Sequence, residues 1–118
     1  MKKFLAVFTG SPGSVGSKKW DSMDETTKKK QTDAGMTAWG NWIKKNQKFI
    51  IETGAPLGKT KQVDPKGISD IKNQMAVYTI VQAESHEEAA KLFLEHPHFM
   101  IFPGDLVEVM ECLPIPGT

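Results

Sequence analysis

The chain has no arginine: all fifteen of its basic side chains are lysines. It therefore lacks the planar fork that grips carboxylate or phosphate with two parallel hydrogen bonds, which argues against phosphorylated or carboxylate-rich ligands. Charge of one sign is also missing. Fifteen basic residues against fourteen acidic leave +1, so no net field recruits nucleic acid or an anionic membrane. A single cysteine, Cys112, permits no internal disulfide and suits a reducing compartment, so the expected location is cytoplasmic. No apolar run approaches the ~18 residues of a membrane helix. The longest near the start, Phe4-Leu5-Ala6-Val7-Phe8, is too short for the apolar core of a signal peptide. No membrane segment and no cleaved leader are expected.

What is present is a balanced globular composition, 39% apolar and 25% charged over 118 residues. That excludes a mainly disordered chain and fits a single domain over residues 1–118. Lys3–Thr9 alternates as a strand, with Phe4, Ala6 and Phe8 on one face and Leu5 and Val7 on the other. Residues Gly10–Ser17 are a small-residue loop, and a helical region follows within Trp20–Asn46. Its second half aligns Met36, Trp39, Trp42 and Ile43 along one side. The mixed-sign stretch KKWDSMDETTKKK reads as solvated helix surface.

Phe49–Leu57 reads as a second strand ending in Gly54-Ala55-Pro56, and Gly58–Gln74 as a hairpin-like excursion around the turn Asp64-Pro65-Lys66-Gly67. Met75–Ala83 is the strongest strand. Ser85 and Glu88 have the spacing of a capping box, opening a helix that runs to about Glu95 before Pro97 stops it. Asp105–Leu113 is the last strand, closed by Pro114 and Pro116. The order is β-α-β-β-α-β, an α+β, ferredoxin-like arrangement. Two helices cover one face of its four-stranded sheet. The first and third main strands are apolar on both faces, so the pattern predicts a homodimer with sheet facing sheet, a dimeric α/β barrel.

Few motifs carry chemistry. The glycine loop fails the phosphate-binding register, because Gly10 is followed five positions later by Val15 and Gly13 by Lys18. Gly10, Gly13 and Gly16 are also spaced by three throughout, which fails the dinucleotide pattern. The loop is a flexible connection, with a backbone anion nest as the alternative. His96-Pro97-His98 is the most marked cluster. If extended, it presents both imidazoles on one face, where two could share a metal. Further ligands among His86, Asp105 and Glu108 have no diagnostic spacing, so no metal is expected. The plain alternative makes His96 the last residue of a helix, bonded to its terminal carbonyls. Glu108 lies between Val107 and Val109 and points opposite to them. If the valines lie beneath the helices, Glu108 faces the dimer side, as pocket base or rim ion pair. Trp39 and Trp42 stand about 60° apart on one helix, as core or as the wall of an apolar cavity. Cys112 has no motif around it and reads as an inert thiol.

Taken in order, the segments KKFLAVFTG, the helix with Trp39 and Trp42, Gly54-Ala55-Pro56-Leu57-Gly58, VYTIVQAESHEEAAKL, His96-Pro97-His98 and LVEVMECLPIP resemble the YCII-related (DGPF-type) family of small dimeric α+β-barrel proteins. The resemblance spans nearly the whole chain and implies a ferredoxin-like subunit in a dimeric barrel. Some members carry a histidine on the first helix and an aspartate before a proline as a proposed catalytic pair. Here the first long helix has tryptophans and no histidine, and His96 precedes Pro97. That pair is not carried over.

Two functions remain. One is a binding or accessory dimer whose pocket, built from Trp39, Trp42, Thr9 and Gly10 with the histidines, takes a small apolar ligand. The other is a cofactor-independent lyase, isomerase or hydrolase using His96 or His98 as acid–base with Glu108 orienting it. No nucleophile motif or cofactor fingerprint supports the enzyme independently, so binding is the favoured reading and no cofactor is expected.

Overall fold

A computed structural model of the chain describes residues 1–117. The first strand, β1 (Lys2–Thr9), is central in a four-stranded antiparallel sheet and pairs on one side with β5 (Met75–Ala83) and on the other with β6 (Leu106–Glu111). The edge strand β2 (Ile50–Pro56) adds to β5, giving the order β2-β5-β1-β6. This is the ferredoxin-like order that the element pattern predicts. The excursion between β2 and β5 is a separate hairpin of β3 (Thr60–Asp64) and β4 (Gly67–Ile71). Its turn forms because the Asp64 carboxylate accepts from the backbone amides of Lys66 (2.8 Å) and Gly67 (3.1 Å).

One sheet face carries the core. Phe4, Ala6 and Phe8 of β1, Val81 and Ala83 of β5, and Ala89 and Phe93 are buried together, with Trp39, Trp42, Val107 and Val109 packed around them. The pleat sends Leu5, Tyr78, Ile80, Leu106, Glu108 and Met110 to the other face, which no helix covers. No helix of the described residues is long and apolar enough to cross a membrane.

The helices depart from the sequence reading in three places. First, the helical region expected within Trp20–Asn46 holds α2 (Glu25–Lys45), and a separate helix, α1 (Val15–Asp21), precedes it and ends just inside those bounds. Ser14 caps α1 inside the stretch expected to be loop, and Asp24 caps α2 by accepting from the Thr27 amide at 2.7 Å. Short polar side chains compete with backbone bonding, so each resets the chain into a new helix. Second, α3 (His86–Lys91) starts as expected at Ser85, whose hydroxyl accepts from the Glu88 amide at 3.1 Å. It ends a turn early, and the chain reaches a left-handed Glu95 (φ 57°). Third, Pro97 does not terminate that helix but begins another, α4 (Pro97–Met100). Proline suits the first helical position, where its missing N–H would have no partner. His96 is therefore the N-cap of α4. The sequence had offered it as a helix C-terminus or as part of an extended pair.

The strand β2 carries two register slips against β5, the second between Glu52 and Ala55. Gly54 sits in that slip with φ +72°, and a Cβ there would lie 1.8 Å from the Tyr78 carbonyl oxygen. Only glycine fits both the left-handed backbone and the close approach. Gly54→Ala is expected to cost about 2 kcal/mol or more. Gly10→Ala, where a Cβ meets nothing within 4 Å, should stay within about 0.5 kcal/mol of the parent. Urea unfolding midpoints of the two variants check the contrast.

Candidate functional site

The end of β1 organises the histidines. The Thr9 carbonyl accepts from the Asp105 amide at 2.9 Å and from His98 Nε2 at 2.8 Å. A carbonyl only accepts, so His98 Nε2 carries the proton and the lone pair of the neutral ring is on Nδ1. Asp105 is tied in turn to the glycine loop: its Oδ2 accepts from the Ser11 amide (2.8 Å) and hydroxyl (2.5 Å). Those bonds to Ser11 hold its carboxyl below the ordinary range. Burial pushes the His98 imidazole below its ordinary value, while the Thr9 carbonyl, the Asp105 charge and the Leu106 backbone pull it back. Gly104 closes over the ring, and a Cβ at that position would come within 2.2 Å of it.

His96 is more deeply enclosed. Its ring has no exposure and is boxed by Trp39 (4.4 Å between centroids), Trp42 (4.7 Å) and Phe8 (4.9 Å). Its Nδ1 accepts the His98 amide at 3.0 Å, which is the cap of α4 and fixes the proton on Nε2. That buried N–H has no hydrogen-bond partner. Burial, then the neighbouring His98, pushes the imidazole down to about 3, so it is neutral at physiological pH.

Beside this cluster lies a cleft of about 420 Å³ between α2 and the β2 edge. Met36, Trp39 and Ile43 of α2 form one wall, Thr53–Pro56 and Val77 the floor, and Phe102 and His98 the end. Phe102 is held there because Gly35 leaves room for its ring, which a Cβ would approach to 2.5 Å. His98 is the one ionisable group in the lining.

Of the residues expected from sequence, Trp39 and His98 meet at this cleft, their rings 6.4 Å apart. Thr9 contributes through its carbonyl, from behind His98. Trp42 is turned to the core side, donating Nε1–H to the Leu92 carbonyl at 2.8 Å and packing on Phe93. His96 packs behind Trp39 and does not line the cleft. Gly10 donates its amide to the Gln74 carbonyl at 3.0 Å and lines no part of it. Glu108 pairs with Val7 on the uncovered sheet face and is exposed, so within one chain the pleat separates it from both histidines. Phe102 and Ser11 are the additions, and Asp105, a candidate metal ligand from sequence, instead anchors the glycine loop beside His98. The Pro103-Gly104 turn beside Phe102 was the available signal, but only tertiary contact shows that it wraps His98. Among the described residues no three His, Cys, Asp or Glu side chains gather to hold a metal. His86, once a candidate ligand, donates to the Val109 carbonyl at 2.7 Å instead.

Neither a protein-family model nor a curated protein matches the chain. Among solved structures it is similar to the 5-chloro-2-hydroxyhydroquinone dehydrochlorinase TftG from Burkholderia phenoliruptrix AC1100, in complex with 2,5-dihydroxybenzoquinone. The TM-score is 0.51 over 91% of this chain and 89% of that one, at 19% identity. That likeness establishes the fold. It says nothing by itself about activity.

The depressed His96 has a measurable consequence. In the unfolded chain the imidazole protonates near its ordinary 6.5, whereas in the fold it stays neutral down to about 3. The unfolded state thus binds the extra proton, and stability falls as pH drops through that window by about 1.4 kcal/mol per pH unit. The lowered His98 adds loss of the same sign. Urea midpoints should fall clearly from pH 7 to pH 5. His96→Asn, which keeps a capping side chain without a titrating one, should give a shallower slope.

Proposed function

We propose that the chain binds a small, planar, largely apolar molecule that donates a hydrogen bond, and that it does so as a homodimer. The observation that carries the ligand reading is the composition of the cleft. An indole, a phenyl ring and aliphatic side chains surround a single imidazole that burial keeps largely neutral. Its volume of about 420 Å³ is in the range of small-ligand sites, and such sites pair apolar walls with a few placed polar groups. With Nε2 committed to Thr9, the lone pair on Nδ1 is the natural acceptor for a ligand hydroxyl or N–H. The resemblance to YCII-related proteins supports a small-molecule role. The 2,5-dihydroxybenzoquinone held by TftG is likewise small and planar.

The same imidazole supports the second reading, a cofactor-independent lyase, isomerase or hydrolase in which His98 takes a proton from the bound molecule. Its anchored Nε2 and the nearby Asp105 charge are the features of a positioned base. Glu108 enters that chemistry only if a second subunit brings it to the cleft.

The dimer reading is supported by the shape of one chain. It is flat, 54 × 43 × 19 Å, and exposes 8500 Å², against about 6,400 Å² for a compact monomer of its mass. Leu106 and Met110 are 57% and 42% exposed on the uncovered face beside Leu5, Tyr78 and Ile80. A second copy covers such a face at least cost. With its one cysteine exposed and unpaired, the protein suits a reducing cytoplasm.

Isothermal titration with 2,5-dihydroxybenzoquinone and with benzene-1,2,4-triol checks the ligand reading. Binding is expected for at least one. Trp39→Ala should weaken it at least tenfold, or about 1.4 kcal/mol, and Glu108→Gln should leave it unchanged if Glu108 lies outside the site. Absence of binding by both compounds, or indifference to Trp39→Ala, would overturn this assignment of the cleft. Turnover of either compound that His98→Gln abolishes while binding persists would favour the enzyme.

A further inference from the structure

We infer that the β3–β4 hairpin is an arm that grips the open sheet face of a second copy of this chain. The inference rests on the dimeric reading above and adds a specific contact to it. A two-stranded hairpin alone is marginally stable in water. This one forms its own sheet and packs extensively on no other element of its chain. It contributes to a radius of gyration of 16.3 Å, where a compact chain of this length has about 13 Å.

The hairpin has one distinctive face. Val63 and Ile68 are directly paired and 74% and 71% exposed, flanked on the same face by the Lys61–Asp70 ion pair at 2.7 Å. The opposite face pairs Gln62 with Ser69 and Thr60 with Ile71, and its one large apolar side chain, Ile71, is already half-buried. Alternation that puts the apolar pair in water serves nothing within one chain. The arm is also basic. Lys59, Lys61, Lys66 and Lys72 outnumber Asp64 and Asp70, Lys61 is engaged by Asp70, and Asp64 is bonded to the turn.

The open sheet face offers the complement. It is apolar at Leu5, Ile80, Leu106 and Met110, and it carries the exposed carboxylates Glu52 and Glu108 against the single lysine Lys3. Its own chain gives Glu108 no ion pair among the described residues, while Glu52 accepts from the Tyr78 hydroxyl at 2.6 Å. A basic arm with an apolar tip therefore matches an acidic apolar face in both charge and hydropathy.

Two measurements on the full chain test this. Sedimentation equilibrium of Val63→Lys/Ile68→Lys is expected to show a dimer Kd at least tenfold weaker than the parent's. Gln62→Lys/Ser69→Lys adds the same charge to the other face and should stay within threefold. Zero-length carbodiimide coupling of mixed ¹⁴N and ¹⁵N parent protein is expected to give mixed-isotope peptides joining Lys59, Lys66 or Lys72 to Glu52 or Glu108. A monomeric parent at micromolar concentration would remove the dimeric reading and the arm together. A dimeric parent whose Kd ignores the Val63/Ile68 change, or responds equally to both double variants, would overturn the arm alone. So would couplings confined to one isotope or to other carboxylates. Should the Val63/Ile68 variant lose its circular dichroism, the coupling of the parent decides.

Discussion

The packing around Phe8 is the constraint from which the rest of the site follows. This ring is fully buried near the end of the central strand, and four other rings converge on it. Trp39 stacks at 5.2 Å, and Phe93, His96 and His98 meet it edge-on at 5.7, 4.9 and 5.2 Å. Aromatic faces are electron-rich and edges electron-poor, so edge-to-face contacts orient as well as fill. One side chain of β1 thereby sets the position of α2 through Trp39, of the segment after α3 through Phe93, and of α4 through both histidines. The next residue on, Thr9, adds the hydrogen bonds that hold His98 and Asp105.

Within this cluster the two histidines have opposite fates despite standing two residues apart. His96 gives one nitrogen to the cap of α4 and buries the other among rings, where an imidazolium would lose its hydration. It acts as a shaped, neutral aromatic. His98, two residues on, is also buried, but its Nε2 is anchored and an acidic neighbour moderates the burial. The ring that borders the cleft is thus also the one held beside a carboxylate. Three glycines make the surroundings close enough for this. Gly104 admits the His98 ring, Gly35 admits Phe102, and Gly54 lets the edge strand bend as the cleft floor.

The architecture is two-layered, with the described helices on one sheet face and none of them on the other. Its small core of fully buried apolar residues is drawn almost wholly from β1, β5 and the α3 region. A sheet with apolar residues on both faces gains by covering both. The hairpin and the open face are the two parts of the surface whose patterning is unexplained by intrachain packing.

Periodicity and turn chemistry in the sequence determined the strands, their order and which residues share a face; which face turns inward was decided by the helices that pack on it. The alternation in KKFLAVFT and MAVYTIVQA is local, and a one-residue slip would bury the wrong set. The parity of Glu108 opposite its flanking valines was legible for the same reason, as was the Asp64-Pro65-Lys66-Gly67 turn. The site was legible only in its residue types. His-Pro-His read locally is a helix stop, because Pro97 cannot continue a helix; that it starts a new one depends on His96 turning its ring back as a cap, which its burial against Trp39 and Trp42 enforces. Likewise no spacing rule links Ser11 with Asp105, or Gly35 with Phe102, since these meet across most of the chain's length. Local pattern encodes which way each residue of a strand points. Which imidazole reaches the cleft, and which is sealed away from it, was decided only when the end of β1, α2 and the loop after α4 closed on the same ring.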